Sequence, residues 1–192
     1  LPTLEHMAYE PAAGDAAEEA AKASFGQAVE LLPRLDKAKV ILSLGADFLN
    51  GDDPEALAAW GAKRRLKNAK EEINRLWALE GPLTLTGTNA DQRVPVPPSR
   101  LGAIAFALAK ELAGKGVPLP AGTDLAGISA GTPAEIPAAT WAHLVKDLKA
   151  AGRNAVVLCG AQMPAEAHQA AHLLNAMLGS EGVALHAAEP LA

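Results

Sequence analysis

The chain has 192 residues, 49% of them hydrophobic and 4% aromatic, with a formal net charge of −5. This length and hydrophobic content suit a domain with a sizeable core and exclude a disordered tail. The acidic balance gives no electrostatic reason to expect nucleic acid, which favours a basic face. No apolar run reaches the roughly 18 residues of a membrane-spanning helix. A single cysteine, Cys159, excludes an internal disulfide and any iron–sulfur or zinc site built from cysteines of this chain alone.

The sequence divides into an N-terminal extension with a helix, residues 1–35, and a single α/β domain, residues 36–192. Helix formers and apolar residues at three- and four-residue steps predict a helix over residues 16–32, which Pro33 ends. The first residue is Leu1, and no basic-then-apolar leader follows it. We therefore expect a fragment of a longer protein, with any targeting signal outside it.

Apolar strands alternate with helices through most of the α/β domain. The predicted strands are residues 40–44, 75–79, 154–159 and a short final one near 183–186. The first is continuously apolar, which is typical of a strand covered by helices on both faces. Right-handed crossovers would place these strands in one parallel sheet. The predicted fold class is therefore α/β, a three-layer Rossmann-like parallel sheet flanked by helices.

Helix signals separate these strands. Asp53 can cap one helix with Pro54 in its first turn, and further helices are predicted over residues 99–112, 137–151 and 164–178. The Gly- and Pro-rich stretch 114–134 is predicted to be a surface connection. Five cationic residues crowd the far end of the helix that Asp53 caps: Lys63, Arg64, Arg65, Lys67 and Lys70. They either compensate the helix dipole or form a docking patch for an acidic partner or a phosphate.

Two turns stand where ligands usually bind in such sheets, at the carboxyl ends of strands. They are residues 45–47 (GAD) and 160–162 (GAQ). Neither is a G-x-G-x-x-G fingerprint, and the chain has no phosphate loop of the G-x-x-x-x-G-K-[ST] type. Each is either an ordinary tight turn or part of a ligand site. We expect both on one edge of the sheet, in a shallow, partly polar groove with Ser43 and Glu80 nearby.

No convincing catalytic set emerges, and no catalytic residue is predicted. His168 and His172 lie four apart on a predicted helix, but Gln169 stands where a zinc protease needs glutamate. Both histidines are interpreted as structural, so no metal site is predicted. Cys159 ends an apolar strand and is interpreted as an inert buried thiol.

Several short sequence segments occur in the order and with the spacing found in a known family. They are residues 25–26 (FG), 39–49 (KVILSLGADFL), 83–91 (LTLTGTNAD) and 168–179 (HQAAHLLNAMLG). The chain resembles the molybdopterin oxidoreductase superfamily, in the domain that holds the guanosine end of the cofactor. More narrowly, it is similar to the molybdopterin-like region of the iron–sulfur B subunit of bacterial alternative complex III, a region without the cofactor.

Two departures from the pattern of active relatives bear on the cofactor. Residues 79–82 (LEGP) replace an Asp-Pro-Arg motif, and residues 97–100 (PPSR) replace Pro-Gly-x-Asp. Arg100 cannot accept hydrogen bonds from a guanine edge as an aspartate would. The resemblance therefore implies the fold but no cofactor-binding residues. A remnant groove, if any, would comprise Ser43, Gly45, Asp47, Glu80, Gly160 and Gln162.

The resemblance also implies a setting. It points to a non-catalytic domain of an iron–sulfur subunit in a membrane-associated respiratory electron-transfer complex. The domain itself would hold no cofactor, the iron–sulfur clusters would lie in the rest of the parent protein, and its partners would be the other domains and subunits. The location implied is the periplasmic face of the cytoplasmic membrane. Two alternatives remain open, a cofactor-binding fragment of an active molybdopterin oxidoreductase and a stand-alone nucleotide-binding module.

Overall fold

The computed structural model describes residues 15–51, 53–68 and 70–188, and its centre is a four-stranded parallel sheet. In chain order the strands are β1 (Glu30–Pro33), β2 (Val40–Leu44), β3 (Arg75–Glu80), β4 (Gln92–Pro95), β5 (Ala155–Cys159) and β6 (Leu185–Ala188). The helices are α1 (Ala16–Phe25), α2 (Pro54–Arg64), α3 (Leu85–Thr88), α4 (Leu101–Gly114), α5 (Ala138–Ala151) and α6 (Ala165–Leu178). The parallel sheet has the order β4-β3-β2-β5, while β1 and β6 form a separate antiparallel pair.

Side chains alternate between the two faces of the parallel sheet. Leu42, Trp77 and Val157 belong to a core formed with α4, α5 and α6. Ile41 belongs to a second core with Ala56 of α2 and residues of β1 and β6. All five residues of β2 are buried because elements cover both faces. The α/β class is confirmed, but one face is covered by α2 together with a two-stranded sheet rather than by helices alone.

The N-terminal helix is shorter than predicted. It ends at Phe25, where Gly26 adopts a left-handed conformation, φ 75°, and its N–H donates to the carbonyl of Lys22 at 2.8 Å. Glycine favours this helix stop because it has no Cβ to clash. Residues 30–33 are β1 rather than helix, so the prediction of a helix through residue 32 was wrong.

The last strand does not join the parallel sheet. The carbonyl of Ser180 accepts from the N–H groups of Val183, Ala184 and Leu185, which turns the chain sharply after α6. β6 therefore runs antiparallel to β1, with Leu31 opposite Ala187. The prediction that all strands share one sheet was wrong for this one.

A side chain partly takes the place of a neighbouring strand at the edge that β5 leaves open. Asn175 of α6 accepts from the N–H of Val157 at 2.9 Å and donates to its carbonyl at 2.8 Å. Since an open strand edge exposes unpaired backbone groups, this amide satisfies two of them within the fold. Residues 115–137 contain neither helix nor strand, as predicted for the connection, and Leu125 and Ile136 anchor them in the core.

Candidate functional site

The carboxyl ends of β2, β3 and β5 meet at one edge of the sheet. Leu44 pairs in register with Leu79 on one side and with Cys159 on the other. The strand order reverses between β2 and β5, so this is the switch point at which doubly wound sheets bind ligands. The turns at residues 45–47 and 160–162 follow β2 and β5, and their predicted position on the same edge is confirmed.

Close backbone approach explains the two glycines. Gly45 has φ 64°, and its N–H donates to the carbonyl of Leu79 at 2.9 Å. A Cβ at Gly160 would collide with the carbonyl oxygen of Gly45. Both positions need glycine for the packing of the turns themselves.

Ser43 is fully buried and closes the first turn. Its hydroxyl donates to the carbonyl of Ala46 at 2.8 Å and accepts from the N–H of Ala46 at 3.0 Å. The side chain thus serves its own turn. Gln162, the polar residue of the second turn, is exposed.

Asp47 joins the first turn to α3. One carboxylate oxygen accepts from the N–H of Thr86 at 2.8 Å, and the Thr86 hydroxyl accepts from the N–H of Leu49 at 3.0 Å. Sequence reasoning missed α3, which lies within the loop predicted after β3. The signal was present, since Thr84 is a good N-cap residue and its hydroxyl accepts from the N–H of Gly87 at 3.0 Å.

Glu80 is the most enclosed carboxylate at this edge, with 1% of its surface exposed. It accepts from the Thr84 hydroxyl at 2.6 Å and pairs with the Arg93 guanidinium, Nε to Oε1, at 2.6 Å. A Cβ at Gly87 would collide with this carboxylate. Sequence reasoning did not identify Arg93 as the partner because β4, which carries it beside β3, was also assigned to the loop.

We call Ser43, Asp47 and Glu80, with the groups bonded to them, the carboxyl-edge cluster. Each of these side chains forms at least one hydrogen bond to another group of this chain. Arg100 lies between β4 and α4 in the chain, and its Nε pairs with Oε1 of Glu135 at 2.6 Å. Its position is therefore fixed by the connection between α4 and α5.

One cationic residue at the end of α2 also has internal partners. Arg64 donates to both carboxylate oxygens of Asp91, at 2.9 and 2.5 Å, and stacks over Trp60 at 5.2 Å. Burial alone would raise the pKa of Asp91, but hydrogen bonds from Arg64 and the Leu76 N–H hold it below its ordinary value. Arg64 therefore ties α2 to the sheet, whereas Lys63, Arg65, Lys67 and Lys70 are exposed.

A cavity of about 590 Å³ lies on the other side of the switch point, between α1, β1, β5 and α6. We call it the β5-side cavity. Its walls are mainly apolar, including Val29, Leu31, Phe48, Val157, Leu158 and Ala171. None of the six residues predicted to form a remnant groove lines it, although their neighbours Ala46 and Ala161 do.

The two histidines of α6 both line this cavity. His168 is 6% exposed, and its Nε2 atom is buried without a hydrogen-bond partner among the described residues. His172 is 8% exposed; its Nδ1 lies 3.0 Å from the Ser24 hydroxyl, and its ring lies 5.0 Å from that of Phe25. Burial lowers the pKa of both, that of His172 to about 4, with His168 as a second cause for His172.

Cys159, the one cysteine of the chain, also lines the cavity beside the two histidines. Burial raises the pKa of its thiol to about 12, so the thiol is protonated at neutral pH and is a poor nucleophile. Within residues 15–51, 53–68 and 70–188, no three His, Cys, Asp or Glu side chains are grouped closely enough to hold a metal ion. In the same ranges, no helix has the length and apolar character needed to cross a bilayer.

Neither the protein-family models nor the curated proteins give a match to this chain.

Proposed function

We propose that the chain is a non-catalytic scaffold domain, similar to the nucleotide-holding domain of molybdopterin oxidoreductases. In this proposal it belongs to an iron–sulfur subunit of a membrane-associated respiratory electron-transfer complex. Its role is to support the part of that subunit that carries the clusters and to contact other subunits. The carboxyl-edge cluster carries the proposal, because its polar side chains hold the fold together at the edge where an active relative would hold its cofactor.

The segments that carry the resemblance adjoin one another in space. Residues 39–49 form β2 and its turn, and residues 83–91 contain α3; the bond between Asp47 and Thr86 joins the two. Residues 168–179 form most of α6, and Asn175 bonds to β5, the strand beside β2. These segments are therefore parts of one packed unit, which supports the proposal that the chain shares its fold with that superfamily.

The charge pattern at this edge supports the absence of cofactor chemistry. Glu80 places a buried negative charge where a phosphate-binding edge would need donors, and its partner Arg93 is committed to it at 2.6 Å. Arg93 also donates to the Gly81 carbonyl at 3.1 Å. A pyrophosphate arriving here would meet a carboxylate and no free guanidinium in this cluster.

The decisive experiment is metal and cofactor analysis of the full-length parent protein. We expect no stoichiometric molybdenum or tungsten and no extractable guanine dinucleotide. One metal per chain would overturn the proposal and favour an active molybdopterin enzyme.

A second measurement separates the scaffold from a nucleotide-binding module. The 192-residue chain is heated with and without millimolar GMP, GDP or AMP, and the unfolding midpoint is recorded. The scaffold proposal expects no concentration-dependent rise. A rise that saturates with nucleotide, and disappears when Gly45 is replaced by valine in a variant that still folds, would favour the module instead.

A further inference from the structure

The amino edge of the parallel sheet lies opposite the carboxyl-edge cluster and is built from four stretches of the described chain. They are residues 34–39, 63–68, 70–75 and 146–154. The N–H of Arg75 donates to the carbonyl of Lys39 at 2.8 Å, and the N–H of Lys39 donates to the carbonyl of Asn154 at 2.7 Å. Arg64 donates from Nε to Oδ1 of Asn74 at 3.0 Å. These bonds join the four stretches, which we call the amino-edge surface.

Positive charge is concentrated on this surface. The four stretches carry 12 of the 17 Lys and Arg residues of the chain but only four of its 22 Asp and Glu residues. Their formal net charge is +8, against −13 for all other residues. Eleven of the 12 cationic residues are exposed, and Arg64 is the exception. A chain that is acidic as a whole therefore presents one basic face.

Compensation of helix dipoles explains only part of this charge. Lys63 and Arg64 lie in the last turn of α2, and Lys149 lies in the last turn of α5. The dipole effect falls off within the last turn of a helix. It therefore does not account for the three cationic residues of the stretch 34–39, which precedes β2, or for Lys67, which lies beyond α2.

Several of these cations are available to a partner. Lys63, Arg65, Lys67 and Arg153 form no ion pair with a carboxylate of the described residues. Leu66, between Arg65 and Lys67 in the chain, has 48% of its surface exposed. This part of the surface therefore offers a partner both unpaired positive charge and an apolar contact, as protein–protein interfaces do.

The carboxylates of the surface favour a protein as the acidic partner. Asp36, Glu71 and Glu72 lie among the cations and are at least partly exposed. A uniformly anionic partner, such as a bilayer of acidic lipids or a nucleic acid backbone, would repel these groups while it attracts the cations. A protein can place carboxylates opposite the free cations, cations opposite the carboxylates and an aliphatic side chain against Leu66.

We propose that the amino-edge surface docks an acidic protein surface that also carries aliphatic side chains. This inference deepens the proposed scaffold role, because it names the face that contacts another subunit, and it rests on that role for the existence of such a subunit. Metal and cofactor analysis tests the scaffold role by itself, so its outcome and that of the docking experiment are separate.

The test uses the ¹⁵N-labelled 192-residue chain and two peptides of equal length, acetyl-EELEDLEELEDL-amide and its uncharged counterpart acetyl-QQLQNLQQLQNL-amide. We expect the acidic peptide to shift the amides of Lys37, Arg65 and Arg153 with saturation at about 20 mM salt. Its affinity should fall about 10-fold at about 150 mM salt, because exposed charges are screened. The uncharged peptide should bind at least about 10-fold more weakly, since it lacks the complementary charge.

Two double variants with the same change in net charge locate the charged contact. Arg65→Gln with Lys67→Gln removes two cations from the amino-edge surface and should weaken binding of the acidic peptide about 5-fold. Gln27→Glu with Gln162→Glu alters exposed positions outside that surface, and it should change the affinity less than about 2-fold.

A second pair of variants tests the apolar contact. Leu66→Ser should weaken binding of the acidic peptide about 3-fold, because part of a leucine side chain is no longer buried against it. Leu83, which is 66% exposed, lies in the loop after β3, at the opposite edge of the sheet. Leu83→Ser should therefore leave the affinity unchanged.

Three results would overturn the proposal. They are the absence of saturable shifts at the amino edge of the folded wild-type chain, equal affinity for the two peptides, and an equal loss of affinity in both members of either pair of variants. Vesicles with phosphatidylserine and a short DNA duplex are compared with the peptide at equal concentration of negative charge, and we expect both to bind more weakly. Tighter binding of either would replace the protein partner with a bilayer or a nucleic acid. The wild-type comparisons decide the outcome even where a variant fails to fold.

Discussion

The two sides of β2 end in contrasting surroundings. Towards β3, the carboxyl-edge cluster is rich in polar side chains, and Ser43, Asp47 and Glu80 are all bonded within the chain. Towards β5, the cavity wall is mainly apolar, and it includes His168, whose Nε2 has no partner. The polar groups towards β3 therefore serve the fold itself, because a polar group that is already paired stabilises the fold rather than a ligand.

The largest expected effect comes from breaking the ion pair in the carboxyl-edge cluster. Arg93→Met leaves the Glu80 carboxylate, 1% exposed, without its cation, and should lower the free energy of unfolding by about 3–4 kcal/mol. Urea denaturation measures this loss. Arg153→Met, at an exposed position, is the control and should change stability by less than about 0.5 kcal/mol. A loss below about 1 kcal/mol for Arg93→Met would mean that the cluster does not hold this edge together.

The next effect tests the other side of β2. Asn175→Leu removes both hydrogen bonds to the open edge of β5 and leaves the N–H and carbonyl of Val157 buried without partners. The expected loss is about 2–3 kcal/mol in the same denaturation experiment. Asn50→Leu, at an exposed position, serves as the control. An unchanged midpoint for Asn175→Leu would show that water satisfies Val157 equally well.

A smaller effect probes the space in the carboxyl-edge cluster. Gly87→Ala places a methyl group against the Glu80 carboxylate, which three hydrogen bonds hold in place. We expect a loss of about 2 kcal/mol from this overpacking. Gly127→Ala, where a Cβ meets no atom within 4 Å, should have little effect. Equal midpoints for the two variants would indicate that the cluster rearranges freely.

The smallest effect concerns pH and the cavity side. Burial lowers the pKa of His172 from 6.5 to about 4, so between these values the unfolded chain binds a proton that the folded chain does not. The contribution of His172 to the free energy of unfolding is therefore fully present above pH 6.5 and is lost as the pH drops towards 4. The expected loss is about 1–2 kcal/mol after allowance for solvent screening. Denaturation at pH 7 and pH 4.5 measures the difference. His172→Leu should reduce this dependence and His143→Leu should not; an equal dependence in both variants would contradict the assignment to His172.

Much of the sheet could be predicted from local sequence. The runs at residues 40–44 and 75–79 are apolar and bounded by clear helix signals, and the structure places strands at both. The helix predicted over residues 137–151 is also present, with Trp141, Leu144 and Val145 buried as expected. These elements follow from patterns within about 15 neighbouring residues, the range over which periodicity is informative.

The errors came from contacts between distant residues. β1 was assigned to a helix because Phe25, Val29 and Leu32 recur at helical steps, yet residues 30–33 pair with residues 185–188. The same limit applies to the site. The polar turns after β2 and β5 could be placed on one edge, but the pairing of Glu80 with Arg93 depends on β4, which has only four residues. The β5-side cavity had no local signal, since its walls come from segments that lie far apart in the chain.

The pairing of β1 with β6 has a consequence for motion. The two strands lie about 150 residues apart in the chain, and the ladder between them is only four residues long. A four-residue antiparallel pair has few hydrogen bonds, so it should be among the first parts of the native protein to open. Because β1 also walls the β5-side cavity, its brief detachment would expose the interior of the cavity to solvent while the parallel sheet stays intact.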